Sequence, residues 1–377
     1  MKIVYCIASI YNPGGMERVL LNKVRWLTDN TPAEIVIVTT DQFGRPPFYS
    51  FPSAVRIVDL EIGYHFDNRL NPVLKVFNFL RKRRRHQKAL SELLLMEKAD
   101  IVVSMYPSES SFIPSIKDGS KKVLELHYNK FFRLQYARKG LLGLADRFRT
   151  WQDERIVRKF DKFVVLTKED ASYWGELPNL EVIPNAALPH PDILEDHTHC
   201  RVIAVGRLDY QKGFDRLLQA WAKLPGGLRD IWHLDIFGQG EWESLLGEMI
   251  KSLGIQDSVT LHAPTPEVFM EYASSSFLVM ASRYEGLPMV LIEAMSCGVP
   301  GICFDFKCGP KDIIESGYNG LIVQEGNIDA LTKAMETLMR NNELLRRMSS
   351  KARNITESYS EEVVMNQWMT CFESLCQ

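Results

Sequence analysis

The chain has 377 residues, 46% hydrophobic and 24% charged, with a formal net charge of −2, the make-up of an ordinary folded protein of about two domains rather than a disordered or fibrous one. No apolar run approaches the ~20 residues that cross a bilayer, and the first residues enter a strand without a cleavable signal, so a cytoplasmic chain is expected. Cys6, Cys200, Cys297, Cys303, Cys308, Cys371 and Cys376 are scattered and form no C-x-x-C, so they read as reduced thiols rather than a disulfide framework or a zinc site.

In chain order, strand-like runs at 3–8, 35–39, 55–60, 101–105, 122–126 and 162–166 alternate with helical stretches, and so do runs at 201–205, 232–237, 258–261, 276–281, 299–304 and 320–323. Two such sets predict an α/β protein of two doubly wound parallel sheets. The first turn, Ala8 to Arg18, holds Gly14-Gly15 where a backbone can approach a ligand closely. Neither G-x-G-x-x-G nor G-x-x-x-x-G-K-[ST] is present, which leaves out the dinucleotide and P-loop fingerprints.

Between 70 and 96 an apolar helical pattern is interrupted by Arg81-Lys82-Arg83-Arg84-Arg85-His86. A basic amphipathic helix suits an anionic membrane surface, and it suits a solvated face as well. Lys130 to Leu134, Arg138 to Leu142 and Arg147 to Arg149 add further basic and apolar mixing, without any nucleic-acid recognition motif. His127 ends the run 122–126, at a strand's carboxyl end, where it is either structural or placed to meet a ligand.

Three prolines within Ile183 to Pro191 mark a domain boundary. The predicted parts are 1–185, a linker 186–198, 199–359, and a last segment 360–377 in which Val364, Trp368, Cys371 and Phe372 form the apolar stripe of a helix. His197 and His199 lack the neighbouring ligands of a metal site and read as a solvated turn. Lys and Arg outnumber Asp and Glu by 29 to 24 over residues 1–199, and fall short by 16 to 23 over the rest.

The second set opens with Gly206-Arg207-Leu208-Asp209-Tyr210-Gln211-Lys212-Gly213, where two cations five residues apart could neutralise a diphosphate. Gly238 and Gly240 follow the next strand. Glu285 lies ahead of a helix predicted from about Pro288 to Cys297, and Glu293 is the only charged residue between Gly286 and Cys297. At ~1.5 Å per residue the helix start and Glu293 stand roughly 8 to 9 Å apart along the axis. Free amides at the start attract phosphate, so one acid on each side could take hydroxyls from the two ends of a sugar diphosphonucleoside. The pair also fits a solvated loop acid and a carboxylate met by a neighbouring Arg or amide.

Taken together, Gly14-Gly15, Ile183-Pro184-Asn185, Gly206-Arg207-Leu208 with Lys212-Gly213, Gly238-x-Gly240, Glu285-x7-Glu293 and Gly317-x-Asn319-Gly320-Leu321 resemble the retaining glycosyltransferases of family 4, which have the GT-B fold. The resemblance covers nearly the whole chain. It implies two Rossmann-like domains facing a central cleft, acceptor-binding first and nucleotide-sugar-binding second, with the last helix crossing back to the first domain. It makes Arg207 and Lys212 the cations at the donor diphosphate, Glu285 the acid at the transferred sugar, and Glu293 the acid at the ribose. Gly15, Gly206, Gly238, Gly240, Pro264, Gly286, Leu287 and Pro288 become donor-binding positions, and His127 stands beside the donor sugar.

The resemblance further implies front-side displacement without a protein nucleophile. No metal or other cofactor is expected, since no D-x-D follows a strand. It implies transfer of a hexose or N-acetylhexosamine from a nucleoside diphosphate sugar, UDP-sugar first, to a growing saccharide. The expected partners are a polyprenyl diphosphate-linked acceptor in bacterial surface polysaccharide or glycan assembly and an anionic membrane surface, with no nucleic acid. Ala263, where the family often has glycine, and Lys307-Cys308, which replace a small polar pair, depart from the family's pattern close enough to the donor to shift base or sugar preference. Two alternatives fit the same fold: a sugar-nucleotide epimerase and a catalytically silent nucleotide-sugar-binding scaffold.

Overall fold

The computed structural model describes residues 1–69, 72–105, 108–134, 139–187 and 199–376. They form two compact units. One is Met1–Leu166 with Ala171–Ile183 and Met365–Gln377, and the other is Thr167–Asp170 with Pro184–Val364. Most of the linker expected at 186–198, including His190 and His197, lies outside the described residues, as does Arg138.

The first unit is built on seven strands: β1 (Lys2–Cys6), β2 (Glu34–Thr39), β3 (Arg56–Asp59), β4 (Ile101–Ser104), β5 (Lys121–Glu125), β6 (Lys162–Val165) and β7 (Leu180–Val182). All are parallel, in the order β3-β2-β1-β4-β5-β6-β7. Helices cover a parallel sheet on both faces, so its strands are apolar throughout rather than alternating; Ile3, Val4, Tyr5, Val36, Ile37, Val102, Val103 and Val164 are all fully buried. Six of these strands coincide with apolar runs in the sequence, whereas β7 spans three residues and has no such run.

The second unit repeats the design with β8 (Arg201–Val205), β9 (His233–Phe237), β10 (Val259–His262), β11 (Phe277–Met280), β12 (Gly301–Phe304) and β13 (Gly320–Val323), again parallel, in the order β10-β9-β8-β11-β12-β13. Strand order reverses between β8 and β11, and at such a switch point the loops leaving adjacent strands diverge and open a crevice at the carboxyl ends. The loop after β8 carries Arg207 and Lys212, and the loop after β11 carries Glu285. Topology therefore brings together residues that sequence separates by more than seventy positions.

The helix after β11 runs Met289–Ser296, with Pro288 at its N-cap, one residue inside the expected span at each end. The last helix runs Glu361–Cys376. Val364, Trp368, Cys371 and Phe372 are all buried on it, as its apolar stripe predicts.

Candidate functional site

In the second unit the β8 and β9 loops interlock through backbone. Gly206 N donates to Phe237 O at 3.0 Å and Leu208 N to Gln239 O at 2.9 Å. A Cβ on Gly238 would stand 1.9 Å from Gly206 O, and one on Gly240 would stand 2.4 Å from Leu208 O. Both glycines are thus required for the two loops to touch. Gly213, at φ +66, ends the cationic loop and starts the helix Phe214–Ala222; a side chain there would meet Ala281 O at 2.1 Å.

This loop is tied to the β11 loop at several points. Arg283 N donates to Gln211 O at 2.8 Å. The Arg283 guanidinium grips Asp215 with both terminal nitrogens, at 2.9 and 2.7 Å, and donates to Tyr210 O at 2.7 Å. Gln211 Nε2 donates to Tyr284 O at 3.1 Å and to Glu285 Oε2 at 3.2 Å. Lys212 Nζ then reaches Glu285 Oε1 at 2.7 Å, and Ser282 Oγ donates to the same oxygen at 2.8 Å. Glu285 is buried, and this set of donors holds its carboxylate in one orientation.

Arg207 is placed differently. Its side chain is 71% exposed, with a terminal nitrogen 3.2 Å from Asp209 Oδ2 and 3.3 Å from Gln211 Oε1. The two cations of the loop therefore do not converge: Lys212 lies on Glu285, while Arg207 points into solvent. Glu293 is buried on the helix and accepts from Tyr272 OH at 3.3 Å. Gly286 is half-buried, Leu287 and Pro288 are buried, and Pro264 is exposed in the loop after β10. Asn319 is structural: its side chain accepts from Glu315 N at 2.9 Å and donates to Ile313 O at 3.2 Å, fixing the turn into β13.

In the first unit, Gly15 opens the helix Gly15–Asn30, and a Cβ there would meet nothing within 4 Å. His127 follows β5 with its side chain buried. Burial holds its pKa below the ordinary value, so the ring is neutral. Its Nε2 lies 3.3 Å from Glu125 Oε1 yet makes no hydrogen bond. Glu125 instead takes Lys23 Nζ at 2.6 Å, and that ammonium sits 3.6 Å from the ring centre of Trp368 on the last helix. In the basic run, Lys82 is spent on Asp67 at 2.8 Å and Arg83 on Ser111 at 3.2 Å, while His86 is buried; Arg81, Arg84 and Arg85 remain exposed.

Among the described residues no cluster of His, Cys, Asp and Glu has the makings of a metal site, and no helix is long and apolar enough to cross a membrane. All seven cysteines are free. Sequence reasoning did not single out Ser282, Gln211, Arg283 or Asp215. Their signal is position alone, since Gln211 adjoins Lys212 and Ser282 precedes Glu285 by three residues.

Residues 190–355 match the family described as glycosyl transferases group 1. Over nearly its full length the chain is also 31% identical to an uncharacterized glycosyltransferase of Haemophilus influenzae, with 97% of this chain and 98% of that protein aligned. The chain is a group 1 glycosyl transferase. At 25% identity, covering 98% of this glycosyltransferase and 97% of the relative, it is also similar to a Campylobacter jejuni α-1,4-N-acetyl-D-galactosaminyltransferase, whose name gives a saccharide on diNAcBac-PP-undecaprenol as its acceptor. Its fold matches the pneumococcal O-GlcNAc transferase GtfA, solved with UDP and GlcNAc, at a TM-score of 0.77 and 16% identity over 100% of this chain and 99% of that one. Its two Rossmann-like units are those of the GT-B fold.

Proposed function

We propose that this glycosyltransferase moves a hexose or N-acetylhexosamine, with retention and without a metal, from a nucleoside diphosphate sugar to a saccharide carried on a polyprenyl diphosphate. The observation that carries the donor site is the Lys212–Glu285 contact at the switch point, with Glu293 eight residues further on. Lys212 and the exposed Arg207 take the diphosphate and stabilise charge growing on the leaving nucleotide. Ser282 and Gln211 keep Glu285 oriented on the sugar hydroxyls while Lys212 turns to phosphate. Glu293 takes the ribose. The leaving phosphate accepts the acceptor's proton, so no protein nucleophile is required.

The C. jejuni relative's lipid-linked acceptor and the UDP bound by GtfA support the choice of substrates. The exposed Leu74, Val76, Phe77, Phe79 and Leu80, beside Arg81, Arg84 and Arg85, support peripheral contact with an anionic membrane. The test is UDP release from a panel of UDP-sugars with a polyprenyl diphosphate oligosaccharide. Glu285→Gln and Lys212→Ala should each lower turnover by about 10²-fold or more while the protein stays folded. Wild-type rates in either variant would remove the site assignment, and tight donor binding without transfer from any donor would favour a silent scaffold.

A further inference from the structure

The helix Gly140–Ile156 turns polar side chains inward and large apolar ones outward, the reverse of the usual surface helix. Its inward positions Asp146 and Thr150 are polar and buried. Its outward stripe is Leu144, Phe148 and Trp151, at 61%, 56% and 43% exposure. These three recur at i, i+4 and i+7, so they share one face. The Phe148 and Trp151 rings lie 5.6 Å apart, and the Arg155 guanidinium stacks 3.6 Å from the centre of Trp151.

Charge on this helix is as one-sided as apolarity. Arg147, Arg149 and Arg155 of the helix, with Lys139 just before it and Arg158 and Lys159 just after it, are exposed. The acids are turned away from solvent or matched: Asp146 is buried, Asp153 pairs with Arg133, and Glu154 meets Lys130 at 2.7 Å. What the helix offers outward is therefore Leu, Phe and Trp among exposed cations. Leu and Phe gain by leaving water, Trp favours the boundary between headgroup and acyl chain, and each nearby Lys or Arg adds attraction to anionic headgroups.

We infer that this helix lies in the plane of an anionic lipid surface and inserts Leu144, Phe148 and Trp151 below the headgroups. This extends the peripheral-membrane part of the proposed function, on which it rests, to a second helix with its own anchoring residues.

The experiment is flotation with phosphatidylcholine vesicles, with and without phosphatidylglycerol, together with the tryptophan emission of the bound protein. Wild type should float with the phosphatidylglycerol vesicles, less so as salt is raised, and its emission should shift to the blue by an amount that Trp151→Phe removes. Phe148→Ser combined with Trp151→Ser should lower binding by at least about tenfold. These side chains are exposed, so the melting temperature should not change. Equal flotation of the double variant and wild type overturns the role of this helix but leaves peripheral binding to the helix Pro72–Glu97. Failure of wild type to float with either vesicle overturns both.

Discussion

A buried carboxylate is held in one orientation only where donors meet it, and at Glu285 those include an ammonium, a hydroxyl and an amide from Lys212, Ser282 and Gln211. A hydrogen bond to a charged group contributes about 1.5–3 kcal/mol. Ser282→Ala is therefore expected to lower kcat by roughly 10- to 100-fold with little change in melting temperature, read as UDP release at saturating donor. An unchanged kcat would mean that Lys212 and Gln211 hold Glu285 without help. At this scale the acids and cations were legible because each stands out against its neighbours: Glu293 on an apolar helix, Arg207 and Lys212 around a glycine turn. Ser282 and Gln211 were not, because small polar residues in loops are commonplace. The Lys23–Glu125 pair was hidden for another reason, since nothing local links residues 102 positions apart.

The helices carry two further expectations. Lys23 on the helix Gly15–Asn30 is fully buried between Glu125 of β5 and Trp368 of the last helix. Removing one member of a buried ion pair strands the other, at about 3–5 kcal/mol, whereas replacing both with apolar or neutral groups is often neutral. Urea melts should show Lys23→Met and Glu125→Gln each strongly destabilised and the double variant largely restored; additive losses would mean that the two charges are not coupled. On the helix Pro72–Glu97, burial lowers the His86 pKa to about 4. In the unfolded chain His titrates near 6.5, so between about 6.5 and about 4 only the unfolded state takes the proton. His86 should thus add stability above pH ~6.5 that is lost as pH falls to about 4. His86→Phe should flatten the stability profile across that window, and an unchanged slope would place the acid sensitivity elsewhere. Twelve strands were readable because buried parallel strands are continuous apolar runs; β7 was not, being three residues long after Leu177-Pro178-Asn179. The helix Gly140–Ile156 shows no inward apolar stripe to read, because Leu144, Phe148 and Trp151 face solvent while Asp146 and Thr150 are buried.

The proposed donor contacts Arg207, Lys212, Glu285 and Glu293 all belong to the second unit, so donor binding should act on that unit's unfolding. A chain of two units need not melt in one step, and the transition that nucleotide moves identifies the unit that holds it. At a free UDP concentration a hundred times Kd, linkage adds about 2.7 kcal/mol, which for a unit of this size raises the midpoint by roughly 5 to 10 °C. In the proposed function the positive charge at the diphosphate comes from Arg207 and Lys212 rather than from a metal, so the same shift should appear in EDTA and in Mg²⁺. Lys212→Ala should reduce it in both. The measurement is a thermal melt with UDP in each buffer. A shift that appears only with Mg²⁺ would give the diphosphate to a cation, and Lys212 would then serve chiefly to hold Glu285. A shift in EDTA that Lys212→Ala abolishes would tie the nucleotide to the ammonium, leaving Ser282 and Gln211 to hold Glu285 on the sugar.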